Sequence, residues 1–174
     1  MKTIVIYNSQ TGFTKRYAEW IAEATGADCL ELSAAKKKDL AAYEAIIFGG
    51  WACTGNISKI SWFKGNIDRW AGKKLIAFCV GASPIDNPEI SIALKRNFNE
   101  SEHKKVKIFY CPGGLNYEQM STPSKLMMKM FVKMLKAQKN KTEAEQIMVK
   151  MISSSYDISD RKYIEPILQY LKVW

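Results

Sequence analysis

Short apolar runs rich in β-branched residues alternate along the chain with segments whose apolar residues recur every three or four positions. Such runs are typical of strands buried on both faces of a parallel sheet, and the wider spacing is typical of amphipathic helices. The predicted strands are 3–7, 29–32, 45–48, 74–80 and 106–110, and the predicted helices are 14–25, 36–40, 58–70, 88–98, 124–136, 142–152 and 160–171. We therefore expect an α/β fold, with a parallel sheet covered by helices on both faces and joined by right-handed crossovers.

The stretch between the fifth strand and the closing helix is longer than this alternation requires. Loops of such length in compact domains usually have a function or carry their own elements, and two of the predicted helices fall within this one. The length of 174 residues suits one domain. We expect a single domain over 1–174 with an insertion at about 111–157.

The net charge of +9 raises the question of an anionic partner. Lysine supplies most of the positive charge, because the arginines are limited to Arg16, Arg69, Arg96 and Arg161. Without an arginine cluster interleaved with aromatic residues, the sequence does not predict binding to nucleic acid. No apolar run approaches the roughly 20 residues that cross a bilayer. The N-terminus lacks a signal-peptide pattern, so we expect a cytoplasmic protein.

The cysteines and the single histidine do not form a pattern that indicates a metal site or a disulfide framework. Cys29, Cys53, Cys79 and Cys111 are scattered, and reduced, mostly buried thiols are expected. His103 lies in a polar connection, where a solvated side chain is expected rather than a ligand or a base. We expect no metal ion and assign no catalytic side chain.

The loop after the first strand carries several hydroxyl groups and a glycine directly before a helix. It reads Asn8-Ser9-Gln10-Thr11-Gly12-Phe13-Thr14. Ligands of open α/β sheets bind at the carboxyl ends of the strands, and such a loop at a helix N-terminus binds phosphate without a side-chain cation. Neither the P-loop pattern nor the dinucleotide pattern is present. The loop predicts a phosphate site, and the alternative is a capped helix start that binds no ligand.

The same loop resembles the phosphate loop of the flavodoxin family, which has the pattern [ST]-x-T-G-x-T. The resemblance implies a flavodoxin-like three-layer sandwich with a five-stranded parallel sheet of order 2-1-3-4-5, here with a helical insertion before the last helix. It also implies FMN as the cofactor. The residues it assigns to the FMN phosphate are Ser9, Gln10, Thr11, Gly12, Phe13 and Thr14.

Two further loops follow the third and fourth strands, where flavodoxin-like proteins clasp the isoalloxazine ring. Both are rich in glycine and small residues, which let backbone groups reach the polar edge of the ring. The resemblance assigns to the ring Gly50, Trp51, Ala52, Cys53, Thr54 and Gly55 of one loop and Val80, Gly81, Ala82 and Ser83 of the other. Trp51 is the candidate for stacking on the ring, and a packing tryptophan is the alternative.

Two features depart from typical flavodoxins. Many flavodoxins carry a tyrosine in the loop after the fourth strand, whereas residues 80–84 include no aromatic side chain. One face of the ring is therefore expected to be open or covered by another part of the chain. Typical flavodoxins are also acidic, and this chain is basic. Both departures favour a role other than a simple electron shuttle.

The predicted helix from Ser124 to Lys136 separates apolar from basic side chains. The apolar stripe comprises Leu126, Met127, Met130, Phe131, Met134 and Leu135, and the basic stripe comprises Lys125, Lys129, Lys133 and Lys136. Such a helix can lie on an anionic membrane or grip a flexible apolar ligand. The alternative is a surface helix that packs its methionine face on the domain and exposes its lysines.

The insertion is similar to that of flavodoxin-domain proteins related to menaquinone-dependent protoporphyrinogen dehydrogenase. They place a basic, partly helical segment before the last helix, and it begins with a stretch like Gly114-Leu115-Asn116-Tyr117. In that group the segment is linked to membrane or large-substrate access. The resemblance implies an FMN-dependent oxidoreductase whose redox partner is quinone-like, porphyrinogen-like or a protein. A one-electron carrier and a cofactor-free adaptor that retains the fold are the alternatives.

Overall fold

Parallel strands form the centre of the molecule, and the computed structural model describes residues 1–173 of the chain. The first six strands are β1 (Thr3–Tyr7), β2 (Asp28–Glu31), β3 (Ala45–Cys53), β4 (Asn56–Ile57), β5 (Lys74–Gly81) and β6 (Val106–Pro112). Five of them run parallel in the spatial order β2-β1-β3-β5-β6. This is the predicted order 2-1-3-4-5, which is confirmed. The short β4 pairs antiparallel with the end of β3.

The central strands β3 and β5 are apolar apart from Lys74 at the start of β5, because both of their faces are covered over most of their length. Every residue of β5 is buried. In β3 the side chains alternate, so that Ile46 and Phe48 join the core on one face of the sheet and Ile47 joins the core on the other. This two-sided burial is the physical reason that the strands stand out in the sequence as continuous apolar runs.

Helices form the two outer layers. They are α1 (Phe13–Thr25), α2 (Leu32–Ala35), α3 (Ile60–Lys64), α4 (Glu89–Lys95), α5 (Glu100–His103), α6 (Thr122–Ala137), α7 (Glu143–Ile152) and α8 (Glu165–Lys172), with a 3₁₀ turn at Arg161–Ile164 before α8. The buried faces of α1 and α8 share one core with the sheet, and those of α2 and α3 share the other. The predicted three-layer sandwich is therefore confirmed.

Two of the predicted helices are placed or sized wrongly. The predicted helix 36–40 is wrong, because the helical residues are Leu32–Ala35, where Leu32 and Ala35 supply the buried anchors. The predicted helix 58–70 is α-helical only at Ile60–Lys64 and continues in hydrogen-bonded turns. Phe63, Ile67 and Trp70, which share helical spacing in this stretch, are nevertheless buried. Turns of about three residues bring the same side chains inward as a helix does, so the apolar spacing does not distinguish the two.

Two other helices are shorter than expected. Helix α4 ends at Lys95 rather than at 98, because the chain turns back there and the Asn97 side chain donates to the carbonyl oxygen of Ala93. The closing segment begins as a 3₁₀ turn, and α8 proper starts with Pro166 in its first turn. Proline lacks an N–H group and is tolerated there because the first turn has no intrahelical acceptor for it.

The insertion has a small core of its own. Two short strands that the sequence did not predict, β7 (Gly114–Leu115) and β8 (Tyr156–Asp157), pair antiparallel at its base, and α6 and α7 lie between them along the chain. Two residues per strand are too few to show an alternating pattern. The buried residues of this core are Leu115, Val132 and Ile152. No helix within residues 1–173 is both long and apolar enough to span a membrane.

Candidate cofactor site

A cavity of about 330 Å³ opens at the carboxyl ends of β1, β3 and β5. Its volume lies within the range of pockets that hold small molecules and cofactors. The predicted residues that line it are Gln10, Thr11, Phe13, Thr14, Trp51, Ala52, Cys53, Thr54, Val80, Gly81 and Ala82. The remaining wall comes from the insertion and comprises Gly114, Leu115, Met120, Ser124, Met127, Met128 and Phe131. The structure thus brings the three predicted loops together around one space.

The other predicted residues lie close to this space without lining it. They are Ser9, Gly12, Gly50, Gly55 and Ser83. Gly50 lies within β3, where a Cβ atom would come within 2.6 Å of both Ile57 and the carbonyl oxygen of Ser58. The strand can therefore approach the following segment closely only with glycine at this position.

The loop after β1 leaves backbone donors at the start of α1 without a side-chain acceptor. Gly12 is the N-cap residue, with a φ of 94°, and among the described residues no side chain caps the helix there. The first N–H groups of a helix have no intrahelical partner, and they carry the positive end of its dipole. The side-chain cap that the alternative of a capped, ligand-free helix start assumes is therefore absent from the described residues. What remains is a donor-rich loop without a negative group of its own.

Ser9 adds a second observation at the same loop. Its hydroxyl oxygen is buried, and within residues 1–173 it has no hydrogen-bond partner. A buried polar group without a partner costs about 1–3 kcal/mol. Such a group in a native structure calls for an explanation, and a site for a ligand or ion is one explanation. The hydroxyl and the uncapped helix start together fit a phosphate group.

The second loop is tied to the first through Ser58. The Ser58 hydroxyl accepts hydrogen bonds from the Asn8 side chain, at 2.9 Å, and from the backbone N–H of Trp51, at 3.1 Å. Trp51 is partly exposed in the cavity wall and does not belong to either sheet core. Trp51 is therefore not a core tryptophan of the sheet. Asn8 and Ser58 escaped the sequence reasoning because they lie 50 positions apart.

Two tyrosines hold the third loop. The Tyr110 hydroxyl donates to the carbonyl oxygen of Ser83 at 2.8 Å, and the Tyr156 hydroxyl donates to that of Ala82 at 2.7 Å. Burial raises the pKa of both phenols, that of Tyr156 to about 12, so both remain donors at neutral pH. Tyr156 belongs to the insertion. The insertion therefore fixes part of the wall that the sheet provides.

Helix α6 meets the cavity with part of the predicted apolar stripe, but it packs in the insertion with a different face. Met128, Val132 and Leu135 form its inward face and pack in the small core of the insertion. Met127 and Phe131 line the cavity and remain 44% and 42% exposed.

The rest of the expected stripe lies outside this contact. Leu126, Met130 and Met134 are 60%, 64% and 55% exposed. The alternative, in which the methionine face packs on the domain, is therefore wrong for Leu126, Met130 and Met134. The helix is apolar around more than half of its circumference, so the pattern could not single out the packing face.

The cavity is electrically neutral along its wall. None of the described residues that line it carries a charged side chain. The nearby Arg16 is instead paired with Asp157 of the insertion at 2.5 Å and also donates to Ser159. The arrangement can stack a flat apolar group, hydrogen-bond its edge and bind a phosphate through N–H and O–H donors.

Of the cysteines and the histidine, one lies in the wall of the cavity. Cys79 and Cys111 are buried, and burial raises the pKa of both thiols. Cys29 and Cys53 are only partly buried, so the expectation of mostly buried thiols holds for two of the four. Cys53 lines the cavity. His103 is exposed at the end of the short α5, and in the described part of the chain no group of three or more potential metal ligands is assembled.

Comparison with known proteins adds the following. A family model described as Flavodoxin domain matches residues 4–142. No curated protein matches the chain significantly. The chain is similar to the structure of a flavoprotein from Bacteroides uniformis, with 22% identity and a TM-score of 0.48, over 74% of this chain and 97% of that one. It is also similar to oxidised flavodoxin 2 from Bacillus cereus, with 19% identity and a TM-score of 0.43, over 63% and 84% of the two chains.

Proposed function

The chain belongs to the flavodoxin domain family, and we propose that it is an FMN-dependent oxidoreductase whose flavin occupies the cavity at the carboxyl edge of the sheet. The observation that carries this proposal is the buried, unpartnered Ser9 hydroxyl beside the uncapped start of α1. A phosphate at that point would satisfy both. When bound, FMN supplies the hydride- and electron-transfer chemistry of its ring, and the protein positions and shields it.

The phosphate end of the site is assigned to the loop after β1. The residues that would hold the phosphate are Ser9, Gln10, Thr11, Gly12, Phe13 and Thr14. Gly12 supplies the left-handed turn that exposes the N–H groups, and Ser9 supplies a hydroxyl donor. Gln10 also donates from its side chain to the Ser121 hydroxyl, at 3.4 Å, which connects this loop with the start of α6.

The ring end of the site is assigned to the other two loops and to α6. Trp51 can stack on one face of the ring, and backbone groups from Gly50 to Gly55 and from Val80 to Ser83 can reach its edge. Phe131 and Met127 lie in the wall contributed by the insertion. We assign to them the cover that a tyrosine after the fourth strand provides in many flavodoxins. These side chains exclude water from the ring.

The outer surface of α6 supports a proposal about the redox partner. Leu126, Met130 and Met134 form an exposed apolar sector beside the lysines of the same helix, and the sector continues into the cavity wall at Met127 and Phe131. An amphipathic helix with lysines beside an apolar face binds anionic interfaces. We assign to α6 a peripheral contact with a membrane, from which a quinone-like or porphyrinogen-like partner would reach the flavin. The likeness to the protoporphyrinogen dehydrogenase group is part of this proposal.

The cofactor assignment is tested by titrating flavin-free protein with FMN and with riboflavin while following flavin fluorescence. Hydrogen bonds to a charged phosphate contribute about 1.5–3 kcal/mol each, so FMN should bind at least about tenfold more tightly than riboflavin. Equal affinities would contradict the phosphate assignment. The reduced protein is then mixed with menadione, since a carrier that serves only a protein partner would not reduce a small quinone in repeated turnovers.

The membrane contact is tested separately. The protein should sediment with vesicles of phosphatidylglycerol and phosphatidylcholine at low salt and remain in solution with phosphatidylcholine alone. Binding that is absent at low salt would reject the contact and would leave the cofactor assignment untouched.

A further inference from the structure

Asn97 is a buried polar residue that makes all of its side-chain hydrogen bonds within the protein. Its side-chain oxygen accepts from the backbone N–H of Ile57 at 2.8 Å, and its side-chain nitrogen donates to the carbonyl oxygens of Gly55, at 3.0 Å, and Ala93, at 2.9 Å. The residue is 4% exposed. A buried amide that is fully paired in this way rigidifies its surroundings, because breaking any of the bonds leaves a buried group unsatisfied.

One of these bonds ends on the turn between β3 and β4, at Gly55, and another ends on β4, at Ile57. In this two-residue turn, Thr54 has a φ of 47° and Gly55 a φ of 82°. Positive φ at both central positions is the geometry of a type I′ hairpin turn, which favours Asn-Gly or Gly-Gly. A β-branched residue such as Thr54 is strained there, at a cost of about 1–3 kcal/mol.

The strained turn forms one side of the proposed flavin site. Cys53 and Thr54 line the cavity, and Asn97 bonds to Gly55 and Ile57, which lie one and three positions after Thr54. The Asn97 backbone is itself anchored, since its carbonyl oxygen accepts from the Lys64 side chain at 2.8 Å. The same Lys64 forms an ion pair with Glu102 at 3.0 Å.

We infer that Asn97 is a positioning residue, which clamps the Thr54–Gly55 turn in a conformation that the turn would not keep alone and so presents its backbone to the flavin ring. This inference rests on the proposed FMN site. Asn97 does not line the cavity and acts through the turn. In the absence of the clamp, the strain at Thr54 favours other backbone conformations, and the ring would lose contacts along that edge.

The first test compares Asn97→Ala with the control Asn66→Ala. Asn66 is also a partly buried asparagine, and its side chain donates to the Trp62 carbonyl oxygen at 2.8 Å, away from the turn. We expect Asn97→Ala to weaken FMN binding about tenfold or more and to shift the visible absorption and midpoint potential of the bound flavin. Asn66→Ala should lower the melting temperature and leave all three flavin properties unchanged. Wild-type flavin properties in Asn97→Ala would overturn the inference.

The second test uses Asn97→Asp, which keeps the shape of the side chain and its acceptor for Ile57 but loses both N–H donors. The carboxylate oxygen that replaces the side-chain nitrogen would face the carbonyl oxygens of Gly55 and Ala93 without a donor between them, so FMN should bind this variant about tenfold or more weakly than wild type. Wild-type FMN affinity in Asn97→Asp would contradict the clamp. This variant also serves if Asn97→Ala does not fold.

The third test needs no flavin. In the flavin-free protein, the Ile57 amide should exchange its hydrogen more than about tenfold faster in Asn97→Ala than in wild type, because the variant lacks the side-chain oxygen that accepts from it, while amides of β5 keep their relative protection. Unchanged Ile57 exchange would show that no clamp exists. If wild type binds no flavin but the exchange responds as expected, the proposed function has failed and the clamp has not.

Discussion

The parallel sheet and the insertion between β6 and the last helix contribute opposite walls of one cavity, and they differ greatly in how much apolar surface they bury. Every residue of β5 is buried. In the insertion, α6 buries Val132 and leaves large apolar side chains such as Leu126 and Met130 exposed. The sheet wall is held by an extensive core, and the insertion wall by a small one. A site built in this way has a rigid floor and a cover that can open at low free-energy cost.

A few specific contacts fasten the insertion to the rest of the domain. Arg16 of α1 pairs with Asp157 of β8, and Tyr156 reaches the carbonyl oxygen of Ala82. The backbone N–H of Ile158 donates to the carbonyl oxygen of Gly113 at 2.8 Å. These contacts fix the base of the insertion, whereas the middle of α6 depends on its own small core.

The largest expected difference between the two regions concerns stability. Phe78→Ala should lower the free energy of unfolding by about 3–5 kcal/mol, because Phe78 is fully buried in the sheet. Val132→Ala should cost only about 1.5 kcal/mol, as expected for two buried methyl groups in a core that can collapse. Urea unfolding followed by circular dichroism measures both. Similar losses for the two variants would contradict the difference in core strength.

Ser9→Ala should change the stability and the affinity in opposite directions. Removing the unpartnered hydroxyl relieves a buried polar group, so the flavin-free protein should gain about 1 kcal/mol. The FMN dissociation constant should rise about tenfold, since one donor to the phosphate is lost. Thermal unfolding and isothermal titration measure the two effects, with the exposed Ser33 of α2 as the matched site for a control Ser→Ala change. A less stable protein that binds FMN normally would refute the assignment.

Two substitutions distinguish the role of the cavity-lining side of α6 from that of its exposed apolar sector. Phe131→Ala should weaken FMN binding about fivefold, a loss of roughly 1 kcal/mol of aromatic contact, with little change in stability because the side chain is 42% exposed. Met130→Ala, at a 64% exposed position outside the cavity, should leave the flavin unaffected and reduce sedimentation with anionic vesicles. If Met130→Ala alters FMN binding and Phe131→Ala does not, the result contradicts the orientation of α6 in which Phe131 faces the cavity and Met130 does not.

The smallest expected effect is a pH dependence of the stability with which the insertion is attached. Partial burial raises the pKa of Asp157, but hydrogen bonds from Arg16 and Ser159 outweigh it and leave the pKa below its usual value. A lowered pKa stabilises the folded state above the pKa of the unfolded chain, about 4, and the contribution is lost as the pH falls through the folded value.

Because both side chains of the pair are more than 40% exposed, this contribution should be below about 1 kcal/mol. Amide exchange is measured near β8 and in β5 at pH 6 and at pH 3. In wild type, the exchange rate near β8 relative to that of β5 should be higher at pH 3 than at pH 6. In Asp157→Asn the relative exchange should not depend on pH. An equal pH response in both proteins would show that another group is responsible.

The strands and the loops that follow them could be predicted because their signals are local. β1, for instance, has the predicted bounds Thr3–Tyr7, since burial on both faces leaves an uninterrupted apolar run. The loops of the site follow such runs directly. The helices after β2 and β3 were less predictable, because residues such as Ile67 and Trp70 are buried from turns that share helical spacing.

The residues that hold the site together were not predictable from local pattern. Asn97 lies 40 positions from Ile57, and Tyr156 lies 74 positions from Ala82, so each contact exists only once the sheet and the insertion have formed. Single polar residues at such separations leave no periodic signal. The packing face of α6 was hidden for a different reason, since apolar residues occupy both its inward face and its exposed sector.

The assignment of FMN to this chain is tested by the visible absorption spectrum of the purified protein, followed by mass spectrometry of the cofactor released on denaturation. We expect a yellow protein that releases FMN, or a flavin-free protein that turns yellow and quenches flavin fluorescence when FMN is added. A colourless protein that leaves the fluorescence of added FMN unchanged would contradict it and would favour an adaptor that has kept the fold without the cofactor.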